Sequence, residues 1–191
     1  FETASSAGAL APYRGFNDLG GNVWEWTKSL HWINGEWRGI RGGAWNLPPV
    51  YAQNSYRDYY GLPYFSSENL GFRPVKNAVA KQDFVWIPGG FLQSPNASAF
   101  GFTPMLEGYF IKSTEVTVGD YAVFLNWAKG GGHIAVDAGI VKGTDWYPDQ
   151  IFVVLTSSPY LRYESGSDRF EVEPGYSRRP MTGVSCFGCE G

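Results

Sequence analysis

Gly15–Thr27 reads GFNDLGGNVWEWT. Gly20 and Gly21 suit a tight turn, and Trp24 and Trp26 are residues that fill a core. The spacing offers a second reading. Asp18, Gly21, Val23 and Glu25 stand at i, i+3, i+5 and i+7. Calcium takes oxygen ligands and mixes carboxylates with main-chain carbonyls. A tight turn could fold this segment around one ion, with Asp18 and Glu25 giving side-chain oxygens and Gly21 and Val23 giving carbonyls. The tryptophans belong to the core in either case.

Working outward, Leu30–Trp45 reads LHWINGEWRGIRGGAW. Asn34–Gly35 between aromatic runs is a hairpin signal. Residues 1–14 are small and polar and read as a loop. Asn46–Asn69 has no sustained period and three prolines, so it reads as a long loop whose many tyrosines argue for order. Leu70–Val75 is predicted as a short strand, with Pro74 at an edge or at the strand's end. Residues 76–83 read as a linker. Phe84–Leu92 is a strand interrupted at Pro88-Gly89-Gly90. Gly108–Thr117 is another strand, and a helix follows. Thr117 is placed as its N-cap with Asp120 at N3. Tyr121, Phe124, Leu125 and Ala128 give one apolar face, and Lys129 with three glycines ends it. Ile151–Thr156 reads as a strand and Tyr160–Tyr176 as a hairpin around Ser165–Ser167.

The composition bounds the partners. The chain has 191 residues, suiting one domain or one with an extension. It is 43% hydrophobic and holds 33 aromatic residues (8 Trp, 12 Tyr, 13 Phe) beside 25 glycines, which favours short strands and irregular loops over long helices. The formal net charge is −3 and no dense Lys/Arg cluster occurs, so a nucleic-acid surface is not expected. No apolar run is long enough for a membrane span. The sequence starts at Phe1 rather than Met, so any signal peptide is expected to lie outside it.

GFNDLGGNVWEWT, RGIRGGAW, NSYRDYY and NLGFRPV together resemble the C-terminal half of the formylglycine-generating enzyme family, the sulfatase-modifying factors. FVWIPGGFL, GYFIKSTEVTVGDYAVFLNW and PMTGVSC resemble that family's N-terminal half. The halves come in exchanged order, 1–75 before 84–191, and the family's middle portion has no counterpart. The resemblance implies an α+β, C-type-lectin-like fold, either permuted or assembled from the end of one module and the start of the next. A single compact body is the expected outcome. In that fold the two ends are neighbouring strands, here Leu70–Val75 and Phe84–Leu92. The eight residues between them reach at most ~27 Å, enough for such a join. The resemblance also implies a calcium site at Asp18, Gly21, Val23 and Glu25, where the family more often has Asn at the position of Asp18.

Catalytic members of the family hold copper(I) on two cysteines in the segment after R-G-G-S and oxidise a substrate cysteine to formylglycine with oxygen. Thiolates suit copper(I). Here Arg41–Trp45 is followed by NLPPVYAQNSYRDYYG, which has no cysteine; Leu47 and Ala52 stand near the required positions. Copper is therefore not expected. Related iron-dependent sulfoxide synthases use a His-rich site, and this chain has only His31 and His133. His31, beside Trp32, is expected to be hydrogen-bonded and partly buried; His133, after three glycines, to be solvated.

Cys186 and Cys189 form a C-x-x-C, which can be a redox site, half a zinc site or a local disulfide; with no βαβ context and no second pair to complete a zinc site, a disulfide or a thiol pair is expected ahead of redox catalysis. Arg41, Arg57 and Arg73 recur in the motifs; they read either as an anion-binding set or, as expected here, as buried ion pairs that pin the long loop. Asn96-Ala97-Ser98 is a glycosylation sequon, silent in a bacterial protein. Few charges and a disulfide candidate favour an extracytoplasmic or secreted location. Tyr51, Asn54, Tyr56, Asp58, Tyr59 and Tyr60 have the composition of an adaptable binding surface, unless half of the tyrosines pack beneath their loop. The resulting expectation is a non-catalytic binding or structural module. Its partner would be a protein, a glycan or copies of itself, the last giving a filament or lattice. The alternative is a divergent or fragmentary formylglycine-generating oxidase.

Overall fold

The computed structural model describes residues 18–30, 37–53, 56–59, 62–76, 83–91 and 105–190. The loop over residues 1–14, the turn at Asn34–Gly35, His31, residues 77–82 of the linker and the sequon at Asn96 lie outside the described residues.

Four strands form the first sheet: β1 (Trp24–Leu30), β2 (Arg38–Arg41), β3 (Asp58–Tyr59) and β4 (Leu70–Gly71), in the order β3-β2-β1-β4. β1 runs antiparallel to β2, with Trp26 opposite Ile40, and parallel to β4, with Trp24 opposite Leu70. The two-residue period of a strand puts Trp24 and Trp26 on one face. Both are buried there with Ile40, Ala44, Leu70 and Cys186.

The predicted strand Leu70–Val75 divides into β4 and β5 (Val75–Lys76), with Arg73 and Pro74 between them. β6 (Phe84–Ile87) stops at Pro88, which has no N–H to donate. Beyond it β7 (Gly90–Phe91) pairs with β8 (Met105–Leu106). β9 (Tyr109–Lys112) then lies between β5 and β6, antiparallel to both. This corrects the expected pairing of the two joined ends: each flanks β9 instead of the other. The backbone groups of one four-residue strand serve both neighbours.

α1 (Val118–Gly130) starts at Thr117, whose hydroxyl accepts from the Asp120 N–H while the Asp120 carboxylate accepts from the Thr117 N–H. Lys112 holds the same carboxylate at 2.7 Å. Val118, Tyr121, Ala122, Leu125 and Ala128 are buried and Phe124 is half-buried, so the apolar spacing places the helix on the core as expected. β10 (Ile134–Asp137), β11 (Ile140–Gly143) and β12 (Ile151–Val154) form an antiparallel sheet in that order. β13 (Leu161–Glu164) and β14 (Arg169–Val172) form the hairpin expected around Ser165–Ser167. A short helix, α2 (Cys186–Glu190), follows.

Phe72 and Cys189 pack against two core clusters, the one around Trp24 and Trp26 and a larger one around Tyr121, Leu125, Phe152 and Val153. Main-chain bonds tie them further. Val116 N–H donates to the Phe72 carbonyl at 3.1 Å, Gly183 N–H to Ser67 at 2.8 Å, and Cys186 N–H to Pro63 at 2.8 Å. The Trp26 indole donates to the Val184 carbonyl at 3.0 Å, buried and 158 residues away in sequence.

Candidate functional site

The turn before β1 uses left-handed backbone at Asp18 (φ 54°), Gly21 (φ 97°) and Asn22 (φ 63°). The R-G-G segment after β2 braces it. Gly21 N–H donates to the Gly42 carbonyl at 2.7 Å, and Trp45 N–H donates to Asn22 at 2.8 Å. Gly43 (φ 73°) could not carry a side chain, since a Cβ there would stand 2.9 Å from the Tyr51 carbonyl group. The two motifs are therefore two walls of one loop.

Beneath the turn lies a charge cluster. Arg73 donates from Nε and Nη2 to Glu25 Oε1 at 3.0 and 2.8 Å, and from Nη1 to the Ser113 carbonyl at 2.7 Å. Glu115 Oε2 is 3.5 Å from Arg73 Nη2, and both side chains are 1% exposed. Asn22 Nδ2 donates to Glu115 Oε1 at 2.9 Å. Burial, and then the nearby Glu25 charge, push the Glu115 carboxyl up to about 7, against the pull of Arg73. Burial likewise raises Glu25 and Asp18, again opposed by Arg73. Asn22 and Glu115 were not foreseen. They are 93 residues apart, and Glu115 lies in a stretch that reads simply as a strand.

The four positions proposed for calcium come together in this turn and the start of β1. Asp18 is buried, and among the described residues its Oδ2 has no hydrogen-bond partner, which suits an oxygen donor to a cation. Glu25 is different: its carboxylate already faces the Arg73 guanidinium. Among the described residues no group of three or more His, Cys, Asp or Glu is arranged to hold a metal ion. Of the two proposed carboxylates, Glu25 is thus already committed to an internal cation, and Asp18 is the one left to offer an oxygen.

On the other side of Glu25 and Arg73 a cleft of about 620 Å³ opens, lined also by Lys28, Arg41, Cys186 and Cys189. The two cysteines are thiols and not a disulfide. Cys186 is buried in the tryptophan cluster and Cys189 is half-buried. The Cys189 thiol donates to the Ser185 carbonyl at 3.1 Å.

The described part of the long loop packs through its aromatic residues. The Tyr51 ring meets Trp24 edge-on at 6.3 Å and Tyr56 at 4.8 Å, and Tyr56 is 6.1 Å from Trp24. These two tyrosines pack under the loop. Asp58 and Tyr59 form β3 against Ile40 and Gly39, while Asn54 and Tyr60 lie outside the described residues. Arg41 Nη1 donates to the Tyr56 carbonyl at 2.9 Å, so Arg41 and Arg73 fasten main-chain segments and Arg57 is exposed. His133 is not simply solvated. It stacks on Trp146 at 4.0 Å, and its Nδ1 lies 2.7 Å from the Asp145 carboxylate.

A family profile, the sulfatase-modifying factor enzyme 1-like domain, matches residues 3–78, about two-fifths of the chain. That span holds the turn, β1 to β5 and the long loop. No curated protein and no solved structure matches the chain. No helix among the described residues is long and apolar enough to cross a membrane.

Proposed function

We propose that this chain is a binding or structural module derived from the formylglycine-generating fold, without that family's oxidase chemistry. One observation carries the reading. The segment where copper-holding cysteines would be needed contains none, and Leu47 and Tyr51 pack there against the buried tryptophan cluster. Apolar side chains fill space in which copper(I) would require thiolates. Oxygen uptake with copper and a cysteine-containing peptide tests this: no uptake above the protein-free rate is expected, and turnover would overturn the reading.

In this proposal the two sequence halves form one body in exchanged order, and the chain assembles with copies of itself in an extracytoplasmic filament or lattice. The hydrogen bonds between residues 63–72 and 116–186 support the pairing of the halves. Light scattering should show mass growing with concentration; a monodisperse monomer at high concentration removes the assembly. Calcium is proposed as a structural ion on Asp18, Glu25 and the carbonyls of Gly21 and Val23, supported by the unpartnered Asp18 oxygen. Calcium should raise the melting temperature of the chelated protein, and Asp18→Asn should reduce the gain. An unchanged melting temperature after chelation rejects the site.

A further inference from the structure

We propose that Cys186 and Cys189 form a thiol–disulfide exchange site that accepts a small, carboxylate-bearing disulfide in the adjoining cleft. Four observations carry this. Both cysteines line the same cleft, whose volume of about 620 Å³ suits a small molecule. They differ in access, with Cys186 buried and Cys189 half-buried, which divides the roles of attacking and resolving sulfur. They stand three residues apart on a single turn of helix. The cleft lining carries Lys28 and Arg41 beside the internally paired Arg73 and Glu25, so it favours an anionic ligand.

The peptide bearing the pair is held from several sides. Cys186 N–H donates to the Pro63 carbonyl at 2.8 Å. The buried Tyr121 hydroxyl donates to the Gly188 carbonyl at 3.0 Å. Gly188 N–H donates to Ser185 Oγ at 3.2 Å, and the Ser185 hydroxyl donates to the Ile151 carbonyl. Gly188 is required for this seat, because a Cβ there would stand 2.3 Å from the Phe152 carbonyl oxygen. Helical residues three apart have Cβ atoms about 5–6 Å from each other, and a disulfide needs about 3.5–4.5 Å. A small adjustment of one helical turn closes that difference.

The exchange balances without any further reactant. The Cys189 sulfur, as thiolate, attacks one sulfur of the incoming disulfide, whose S–S bond breaks and releases one thiolate. Cys186, deprotonated in turn, attacks the Cys189 sulfur of the mixed disulfide, forming the Cys186–Cys189 bond and releasing the second thiolate. The pair loses two electrons, the small disulfide gains them, and the two protons lost by the cysteines go by way of solvent to the released thiols.

The test is intact-mass analysis of the reduced native chain incubated with oxidised glutathione or with the neutral hydroxyethyl disulfide. We expect loss of two hydrogens with no retained adduct, at least tenfold faster with glutathione disulfide and slowed by salt. Cys186→Ala should keep one glutathione on Cys189, and Cys189→Ser should react at least tenfold more slowly. The wild-type measurement decides even where a variant folds poorly. Thiols that react only after denaturation, or a wild-type adduct that never resolves, overturn the proposal. Equal rates with the two disulfides overturn its preference for carboxylates.

Discussion

Glu25 and Arg73 are 48 residues apart in sequence, and two guanidinium nitrogens of Arg73 converge on a single Glu25 oxygen at 2.8 and 3.0 Å. The pair joins the strand that follows the glycine turn to the junction between β4 and β5. Because Arg73 also faces Glu115 and the Ser113 carbonyl, it links the first sheet to the segment that enters α1.

Removing Arg73 leaves two buried carboxylates without their cation. Arg73→Met should cost about 3–5 kcal/mol, the range for breaking a buried pair from one side. Urea unfolding checks this. The double variant Glu25→Gln/Arg73→Met should recover part of the loss, since it leaves fewer uncompensated charges.

Glu115 gives a pH dependence. Its folded pKa of about 7 lies above the ordinary value of 4.5. Between these values the folded state retains a proton that the unfolded chain has released. The contribution is therefore fully present below about pH 4.5 and is lost as pH rises through about 7, by at most on the order of 3 kcal/mol. Glu25 and Asp18 act with the same sign. Denaturant midpoints across this window should fall with rising pH, and Glu115→Gln should flatten the profile.

The reciprocal cap of α1 should be measurable alone. Thr117→Ala removes the hydroxyl that accepts from Asp120 and should cost about 1 kcal/mol. Thr117→Ser should restore most of it. A cost near zero for alanine would show that Lys112 and tertiary packing hold the helix start.

Trp26→Phe keeps an aromatic side chain in the first cluster but removes the indole donor to Val184. It leaves a buried carbonyl unsatisfied, so a loss of about 1–3 kcal/mol is expected. Both clusters should unfold in one transition, followed by the fluorescence of the remaining tryptophans and by far-ultraviolet circular dichroism.

Local chemistry was legible wherever the sequence uses a familiar device. Thr117 with Asp120, the placing of Trp24 and Trp26 in the core, and the break at Pro88 all read correctly. The β10–β11 hairpin did not, because its two-residue turn is Ala138–Gly139. Both residues have positive φ, a turn that Asn-Gly or Asp-Gly normally announces. The order β5-β9-β6 was missed because a linker's reach limits how far apart two strands lie without fixing what comes between them. At the site, spacing singled out Asp18 and Glu25 but gave no sign of Arg73, which meets Glu25 from 48 residues away. Glu115 was not, since no local pattern marks a carboxylate that acquires its partners by burial. The thiols were seen as a pair, but only folding brings Arg41 and Arg73 to the same cleft.

The segment Met181–Cys186 threads between the two clusters. Met181 N–H donates to Val116 and Gly183 N–H to Ser67, and Gly71 gives the Met181 carbonyl room that no side chain would leave. The first sheet therefore waits on residues made long after it. During synthesis β1, β2 and β4 leave the ribosome with one flank open, and the Trp26 indole stays without its partner until Val184 emerges. A ribosome stalled shortly before residue 181 would hold the first sheet in its most aggregation-prone form.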